Sequence, residues 1–528
     1  MRDLIALLAL SLPLLAQQEQ THASQVLGHS AAYRVFLPAS YKTPAKRFPV
    51  IYWFHAYEAP DEQRDKTLAD WVAAHEVILI DAGPADLTGA FPQYPPELIE
   101  HIDRTLRTIP DRAHRAITGF GAAGFLALWE AARSPDLFGS ASSFLADRDA
   151  EAGPAAFPVM MSISDLATGL GTVKTWQSNA DNPDIAATLD FHLKAFANPI
   201  PKPDVFAHAD PYPNFGIWGW EVASTRRSPG FTVLDNVNRA GFHSAVREWL
   251  PTGPTVDGVK LSVTSPRLYT PGAAVPVTYV HVADSKVRHA TQRADREGRL
   301  SFEVDGDEYE VGVGAGPILA IPGFRILDAA WATSGQPVKL QVAFLNKGAA
   351  RSATETIRWE SPTPGVKFET PTGRLFALGP GETGAAPVSF TLEGPARSSV
   401  RLVANTGTAQ MTLDVRLFPQ AAAAADFQIA DGKTIEGYPH ALGEGNRDGH
   451  ASPDETFAIL LPEGGELRAA EIFTNDPCID NSIRVSESGR KYSLPKIRGN
   501  CQPGQKVRML ARSGLRYAAI EFPIWYRN

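Results

Sequence analysis

The sequence predicts a multidomain chain, in which an α/β unit built on a parallel sheet with flanking helices is followed by two or three all-β modules. Strand-like and helix-like segments alternate from about residue 25 to 200, which is typical of parallel strands joined by crossover helices. After a proline-rich stretch at 199–203, helical periodicity fades and short alternating strands replace it. The 528 residues also exceed what one hydrophobic core usually serves.

The first 16 residues are typical of an export signal. Arg2 precedes an apolar run over residues 4–16, and Gln17 follows a small residue at the expected cleavage position. The run is shorter than the ~20 residues needed to span a bilayer, and no other stretch of the sequence is long and apolar enough. A buried first helix is the alternative. We expect a secreted or periplasmic protein without a membrane span.

Composition excludes one class of partner and leaves a question about the two cysteines. The formal net charge of −8 argues against nucleic acid, which binds basic surfaces. In an oxidising compartment Cys478 and Cys501 would form a disulfide near the C-terminus. Two free buried thiols are the alternative.

The α/β unit is expected to span residues 25–200. Its predicted strands cover 32–38, 48–55, 76–81, 114–118 and 157–161, and its predicted helices cover 96–106, 124–132 and 185–197. The later part is predicted as a connector over 201–250, a β-rich domain over 251–324, an immunoglobulin-like sandwich over 325–418, a linker over 421–425 and a C-terminal β-sandwich over 426–528. Within the β-rich domain, Asp305-Gly306 separates two alternating runs and predicts a hairpin.

Residues 116–125 are typical of a strand, a sharp turn and a helix. In an α/β-hydrolase this arrangement presents the nucleophile at the tip of a G-x-S-x-G turn. When the segment is aligned on Gly119 and Gly124, the serine position falls on Gly121. Glycine has no side chain that attacks a carbonyl, so the nucleophile is missing.

Segments 33–38, 50–55, 115–124 and 134–139 resemble the α/β-hydrolase family that contains esterase D, feruloyl esterases and antigen 85 type enzymes. The resemblance covers about residues 30–200, roughly a third of the chain. It implies an α/β-hydrolase fold. Members of this family hydrolyse carboxylic esters or transfer acyl groups with a Ser-His-Asp/Glu triad.

The resemblance also indicates where the other triad residues belong. Asp165 fits the position of the acid, although a helix cap or a loop residue fits the same sequence. The family places its histidine in the loop before the helix over 185–197, and this loop contains no histidine. The nearest serines after the elbow, at 140, 142 and 143, lie beyond the elbow helix. His243, in a Gly-x-His sequence, is either derived from the triad or structural, and His192 is expected to be a satisfied helix residue.

The oxyanion region is altered as well. His55 ends a predicted strand where the family often has His-Gly, and Ala56 stands in place of the glycine. An added Cβ there would keep the backbone from approaching a substrate closely. Together with Ala122, which follows the tip, these residues form the expected oxyanion region.

Two other groups of residues admit a functional and a structural interpretation. Asn446, Asp448 and Glu455 would supply hard oxygen ligands to a structural Ca²⁺, or form a plain polar loop. Trp218 and Trp220 would stack against carbohydrate, or pack a domain junction.

Loss of a triad nucleophile lowers kcat by about 10⁶. A missing serine, a missing histidine and a changed oxyanion residue therefore predict a catalytically silent unit that binds an ester, a glycan or a protein, or serves as a scaffold. The alternatives are an active ester hydrolase with a rearranged site, and adhesion to cell surfaces or polysaccharides through the β modules. Apart from Ca²⁺, no cofactor is expected.

Overall fold

The computed structural model divides into two compact units, Met1–Pro203 and Asp204–Asn528. It describes residues 17–55, 62–84, 91–144, 171–178, 184–248, 250, 253–394, 399–407, 409–424, 426–438, 440–481, 484–487, 490–514 and 516–526. The predicted export signal and the strand predicted over 157–161 lie outside the described residues. None of the described helices has the length and apolar character needed to cross a bilayer.

In its described residues, the first unit is built around a seven-stranded sheet. Its strands are β1 (Gln17–Ala23), β2 (Ser30–Phe36), β3 (Val50–His55), β4 (Ile78–Pro84), β5 (Arg115–Phe120), β6 (Ser140–Phe144) and β7 (Lys174–Ser178). Four α-helices accompany them in the described part, namely α1 (Glu62–Ala74), α2 (Tyr94–Thr105), α3 (Ala122–Arg133) and α4 (Ile185–Ala197), with short 3-10 helices at Ala39–Lys42, Phe91–Gln93 and Arg112–His114.

The order of the strands is β1-β2-β4-β3-β5-β6-β7. β4, β3, β5, β6 and β7 run parallel, whereas β1 and β2 are antiparallel additions at one edge. The prediction of a parallel sheet is therefore correct for its centre. Every residue of β3 is buried, as expected of a central parallel strand covered on both faces. β1, β6 and β7 escaped prediction because none of them has a continuous apolar run. β1 and β7 are polar edge strands, and β6 consists mainly of serine.

Each helix of the first unit begins or packs for a local reason. α2 has Pro95 in its first turn and turns Leu98, Ile99 and Ile102 into the core. α4 begins at Asp184, whose carboxylate accepts a hydrogen bond from the backbone N–H of Ala187 at 3.0 Å. α1 and α4 share a core on one face of the sheet, and α3 packs against β3, β5 and β6.

The second unit consists of strands. Its first ten are β8 (Phe206–Asp210), β9 (Asn214–Ile217), β10 (Trp220–Ser224), β11 (Phe231–Asn238), β12 (Gly241–Arg247), β13 (Lys260–Thr264), β14 (Ala274–His281), β15 (Val287–Arg293), β16 (Ser301–Asp305) and β17 (Tyr309–Val313). They form one sheet in the order β16-β13-β10-β9 and another in the order β15-β14-β17-β12-β11-β8. Both sheets contribute to one core.

Two expectations for this first β module are wrong. Residues 201–250 are not a connector, because β8 to β12 are integral strands of the two sheets. The predicted hairpin also does not form, because β16 pairs with β13 while β17 pairs with β12 and β14. At Gly306 the chain instead crosses between the sheets, and a Cβ there would lie 2.5 Å from the carbonyl oxygen of Val256. Sequence alternation shows that two runs are strands but does not show that they pair.

The next module has eight strands, β18 (Leu319–Leu327), β19 (Val338–Asn346), β20 (Glu355–Glu360), β21 (Val366–Thr370), β22 (Thr372–Leu375), β23 (Thr383–Leu392), β24 (Ser399–Asn405) and β25 (Gln410–Arg416). Its two antiparallel sheets, β18-β19-β23-β21 and β22-β20-β24-β25, enclose a common core that includes Phe344 and Trp359. A two-sheet module is thus present at the predicted place, and its immunoglobulin-like character stays a prediction.

The C-terminal module begins within the residues predicted as a linker. Its strands are β26 (Ala422–Ala423), β27 (Gln428–Ala430), β28 (Lys433–Thr434), β29 (Ala441–Leu442), β30 (Ala458–Glu463), β31 (Glu466–Ala469), β32 (Glu471–Phe473), β33 (Ile479–Asp480), β34 (Arg484–Glu487), β35 (Arg490–Ser493), β36 (Lys496–Ile497), β37 (Lys506–Ser513) and β38 (Arg516–Pro523). β26 pairs with β38 in the sheet β26-β38-β37-β32, a second sheet has the order β27-β30-β31, and three two-stranded ribbons complete the module. The predicted disulfide between Cys478 and Cys501 is confirmed, and both cysteines lie in the core.

Candidate active site

The turn between β5 and α3 has the backbone shape of a nucleophile elbow. Gly121, at its tip, has φ 59° and ψ −130°, a conformation that is strained for residues with a side chain. Its N–H donates to the carbonyl oxygen of Phe144 at 2.8 Å, and its own carbonyl accepts from Gly124 at 2.9 Å. We call residues 119–124 the elbow.

The two flanking glycines of the elbow are sterically required, whereas the tip is open. A Cβ on Gly119 would lie 2.2 Å from the carbonyl oxygen of Ala123, and a Cβ on Gly124 would lie 2.9 Å from that of Gly119. A Cβ on Gly121 would meet nothing within 4 Å. The elbow therefore has room for the side chain of a nucleophile but does not carry one.

The nearest hydroxyl groups lie below the tip, inside the sheet. β6 runs beside β5, so Ser142 is level with Thr118 and donates to its hydroxyl oxygen at 2.7 Å. Ser143 is level with Gly119 and is 1% exposed. The three serines of β6 are therefore closer to the elbow than their separation in sequence suggests, yet all are buried and do not reach the tip.

His192, on α4, completes a buried polar network with these residues. Its Nδ1 lies 2.8 Å from the hydroxyl oxygen of Ser140, and its Nε2 lies 2.8 Å from that of Ser142. Burial lowers the pKa of His192 to about 3. The ring is therefore neutral and fixed in the core, consistent with the expected satisfied helix residue.

His55 is the histidine that stands at the carboxyl edge of the sheet beside the elbow. Its Nε2 lies 3.1 Å from Oδ1 of Asp81, in the middle of β4. Arg34 on β2 binds the other oxygen of Asp81, with its Nε at 3.1 Å. Burial would raise the pKa of Asp81, but His55 and Arg34 outweigh this effect and lower it. The carboxylate is thus ionised and holds the ring of His55 in place.

Sequence reasoning missed Asp81 and Arg34. A signal was present, because Asp81 ends a run of apolar residues that forms a buried strand. A charged residue inside a buried strand needs a charged or hydrogen-bonding partner, and here Arg34 and His55 supply it.

Of the other residues expected in the oxyanion region and the triad, the structure describes Ala122 and His243. Ala122 is the first residue of α3, and the first N–H groups of a helix have no partner within the helix. Ala56 and Asp165 lie outside the described residues. His243 belongs to the second unit, in the middle of β12.

His243 has acidic partners of its own within the second unit. Its Nδ1 lies 3.3 Å from Glu310 and its Nε2 lies 3.5 Å from Glu308. Burial lowers the pKa of His243, but Glu310, Glu308 and Asp235 outweigh it and raise the pKa. Glu310 is fully buried and is also paired with Lys347 at 2.8 Å. Within the second unit His243 is thus a buried, charge-paired residue, and its derivation from a triad stays a prediction.

The expected calcium ligands make hydrogen bonds in two separate turns. Asp448 accepts from the side chain of Asn446 at 2.8 Å, whereas Glu455 accepts from the backbone N–H of Ser452 at 3.1 Å. Among the described residues, no cluster of three or more His, Cys, Asp or Glu side chains is suited to a metal. A Ca²⁺ held by Asn446, Asp448 and Glu455 stays a prediction.

The tryptophans predicted as a carbohydrate platform are buried. Trp218 is 8% exposed and Trp220 is 2% exposed, and both belong to the core of the first β module. They therefore pack the core of one module, and neither the carbohydrate platform nor the domain junction describes their place.

Solved structures similar to the chain include three hydrolases. The substrate-bound fluorophosphonate-binding serine hydrolase F of Staphylococcus aureus is 16% identical, with 25% of this chain and 57% of that chain covered and a TM-score of 0.23. A ferulic acid esterase is 27% identical over 25% of this chain and 59% of that chain, with a TM-score of 0.23. The S-formylglutathione hydrolase of Agrobacterium tumefaciens is 16% identical over 35% of this chain and 95% of that chain, with a TM-score of 0.25.

The chain thus spans less than two thirds of the first two of these structures. No curated protein matches it significantly. The sequence model of the family described as Putative esterase matches residues 95–155, which include the elbow and α3. Residues 95–155 of the first unit are therefore similar to the Putative esterase family.

Proposed function

We propose that the chain is an exported binding protein whose esterase-like unit has no serine-dependent catalysis. The observation that carries the proposal is Gly121, which keeps the backbone geometry of a nucleophile elbow without a side chain. A covalent acyl-enzyme needs an oxygen or sulfur nucleophile at this tip. Removal of the nucleophile from a serine enzyme costs about 10⁶ in kcat.

The histidines of the first unit support the same proposal. Seven occur before residue 204, at positions 22, 29, 55, 75, 101, 114 and 192, and all of them are described. His192 is locked between two serines in the core, and His55 ends β3, away from the chain position where the family places its histidine. The loop that precedes α4 contains no histidine. A serine placed at the tip would therefore lack the base that the family uses to activate it.

Export is part of the proposal and rests on two observations. The disulfide between Cys478 and Cys501 suits an oxidising compartment. The expected cleavage position lies immediately before β1, which begins at Gln17, so removal of the signal leaves the described sheet complete. The mature protein is then expected to begin at Gln17, which intact mass measurement of the exported protein tests.

The polar groups at the edge of the sheet beside the elbow indicate which kind of ligand the first unit binds. The start of α3 presents backbone N–H groups, and His55 and Asp81 lie on neighbouring strands. Such groups suit a ligand with a carbonyl or carboxylate oxygen, as found in esters and glycans and on protein surfaces. We therefore propose that an oxygen-rich ligand is held there without turnover.

Covalent labelling tests the absence of a nucleophile. The purified full chain is treated with a fluorophosphonate probe, and p-nitrophenyl acetate hydrolysis is measured in parallel. Intact mass measurement should detect no adduct. Hydrolysis by the wild type should be no faster than hydrolysis by Gly121→Ala, a control that places a side chain without a hydroxyl at the tip. Gly121→Ser is expected to stay inactive for want of a histidine. A wild-type adduct, or wild-type turnover well above that of Gly121→Ala, would contradict the proposal.

The pair His55–Asp81 favours one alternative, an ester hydrolase that activates water directly. A histidine oriented by a buried carboxylate is a competent general base. In that case wild-type turnover would appear without any probe adduct, and would fall at least 100-fold in His55→Ala and Asp81→Asn. His114→Ala, which changes a histidine at the opposite end of β5, is the matched control and would keep full activity.

A further inference from the structure

The C-terminal module exposes two consecutive aromatic residues next to a polar loop. Among the described residues, four large hydrophobic side chains are exposed, and two of them are Trp525 at 40% and Tyr526 at 66%. The ring of His450 stacks on that of Trp525, with centroids 4.2 Å apart and planes 15° apart. We call His450, Trp525 and Tyr526 the aromatic shelf.

Trp525 is exposed but its backbone is fixed. The preceding residue, Ile524, is 1% exposed and anchors the segment in the core. Its N–H donates to Gln505, and the N–H of Trp525 donates to the carbonyl oxygen of Ala451 at 2.9 Å. An aromatic side chain held in this way loses little conformational entropy when it binds a ligand.

The loop that carries His450 is fixed as well. Asp431 is fully buried and accepts hydrogen bonds from the N–H groups of Asp448 and Gly449 at 3.0 and 3.1 Å. Asp448 in turn accepts from the N–H of His450 at 2.8 Å. The loop leaves the side chains of Asn446, Arg447 and Asp448 exposed to solvent. An amide, a guanidinium and a carboxylate therefore follow one another in the loop that leads to the shelf.

We propose that the aromatic shelf is a binding site for the pyranose rings of a polysaccharide. His450 already stacks on one face of the Trp525 indole, so a sugar ring would stack on the other face, whose π-electrons attract the positively polarised C–H groups on one side of the sugar. Planar amide, carboxylate and guanidinium groups match the hydroxyl groups around the rim of the sugar. The site lies within the second unit, so it does not depend on whether the elbow of the first unit is active.

The small apolar area of the shelf favours a sugar over a protein partner. A stable protein interface buries about 800 Å² on each side and centres on a cluster of apolar anchors. Here the described surface offers two exposed aromatic side chains bordered by polar groups. One or two stacked sugar rings need no larger apolar surface than this.

Depletion on insoluble polysaccharides tests the proposal with the full chain. The wild type is incubated with microcrystalline cellulose, insoluble xylan and chitin, and the unbound protein is measured. We expect binding to at least one of them, a loss of at least tenfold in affinity for Trp525→Ala, and a smaller loss for His450→Ala. Phe376→Ala is the matched control, because Phe376 is an exposed aromatic residue of another module and is 67% exposed.

A second measurement does not depend on whether a variant folds. N-bromosuccinimide oxidises exposed indoles, and peptide mass spectrometry locates the product. Soluble oligosaccharides of the bound polymer should slow oxidation of Trp525 at least threefold. Failure of the wild type to bind any of the three polymers, equal binding by Trp525→Ala, or no protection of Trp525 would overturn the proposal. A dimer that Trp525→Ala converts to monomer, without sugar binding, would also overturn it.

Discussion

Acidification should destabilise the first unit through His192. The imidazole is fully buried between two serines, and its pKa in the folded protein is about 3. In the unfolded chain the ordinary value is about 6.5. Between these two values the unfolded state binds the proton and the folded state does not. Stability is therefore retained above pH 6.5 and falls steadily as the pH decreases toward 3.

The size of the effect follows from the two pKa values of His192. pH 5 lies about 1.5 units below the pKa of His192 in the unfolded chain. At 1.36 kcal/mol per unit, proton binding by the unfolded state lowers the free energy of unfolding by about 2 kcal/mol. At pH 4 the loss grows to about 3 kcal/mol by the same reasoning. Losses of this size are a large part of the stability of a typical domain.

Hydrogen exchange with mass spectrometry measures this loss where it should occur. Opening free energies are compared at pH 7 and pH 5 for peptides that cover β5, β6 and α4, after correction for the intrinsic exchange rate. His192→Gln can still hydrogen-bond to both serines but does not titrate, so it should flatten the pH dependence. His114→Gln, which replaces a partly exposed histidine of the same unit, should leave it unchanged. An equal pH dependence in His192→Gln and the wild type would refute the reasoning.

Three further predictions concern packing, charge and the disulfide. Gly119→Ala should lower the free energy of unfolding by about 3 kcal/mol or more, because its Cβ would lie 2.2 Å from a backbone oxygen of α3. Gly121→Ala should lower it by only about 1 kcal/mol, through backbone strain. Proteolysis in urea compares the two variants. Lys347→Met should lower the free energy of unfolding by up to about 3–5 kcal/mol, because it leaves the buried Glu310 with only His243 beside it. Adding Glu310→Gln should recover most of this loss in urea titrations. Cys501→Ser should lower the stability of the C-terminal module by about 3 kcal/mol, because the disulfide joins residues 23 apart in the sequence. Thermal unfolding with and without reductant tests this, since reductant should affect only the wild type.

Much of the first unit could be predicted because its signals are local. The apolar run that became β3 and the cap at Asp184 that begins α4 are both visible in the sequence. The elbow could be predicted from Gly119 and Gly124, since both are needed where backbone approaches backbone. Strands β1 and β7 could not be predicted in this way, because neighbouring strands rather than their own residues determine their place in the sheet.

The contacts that could not be predicted depend on pairings between strands that are distant in sequence. The contact of His55 with Asp81 depends on β3 and β4 lying side by side. The assignment of His243 to a buried acidic cluster depends on β12 pairing with β17, which carries Glu310. The alternating runs on either side of Gly306 indicated strands but gave no information on their partners. Cross-strand neighbours are set by topology, which one sequence leaves open.

The ion pair between Lys347 and Glu310 also bears on how the second unit can be divided. Glu310 lies on β17 of the first β module, and Lys347 follows β19 of the next. The backbone of Gly312 approaches Lys347 so closely that a Cβ there would lie 2.0 Å from its carbonyl oxygen. A chain cut between β17 and β18 would leave Lys347 without its buried partner, Glu310 with only His243 beside it, and both fragments with an uncovered backbone. These two modules should therefore melt in a single step and be exchanged only as a pair.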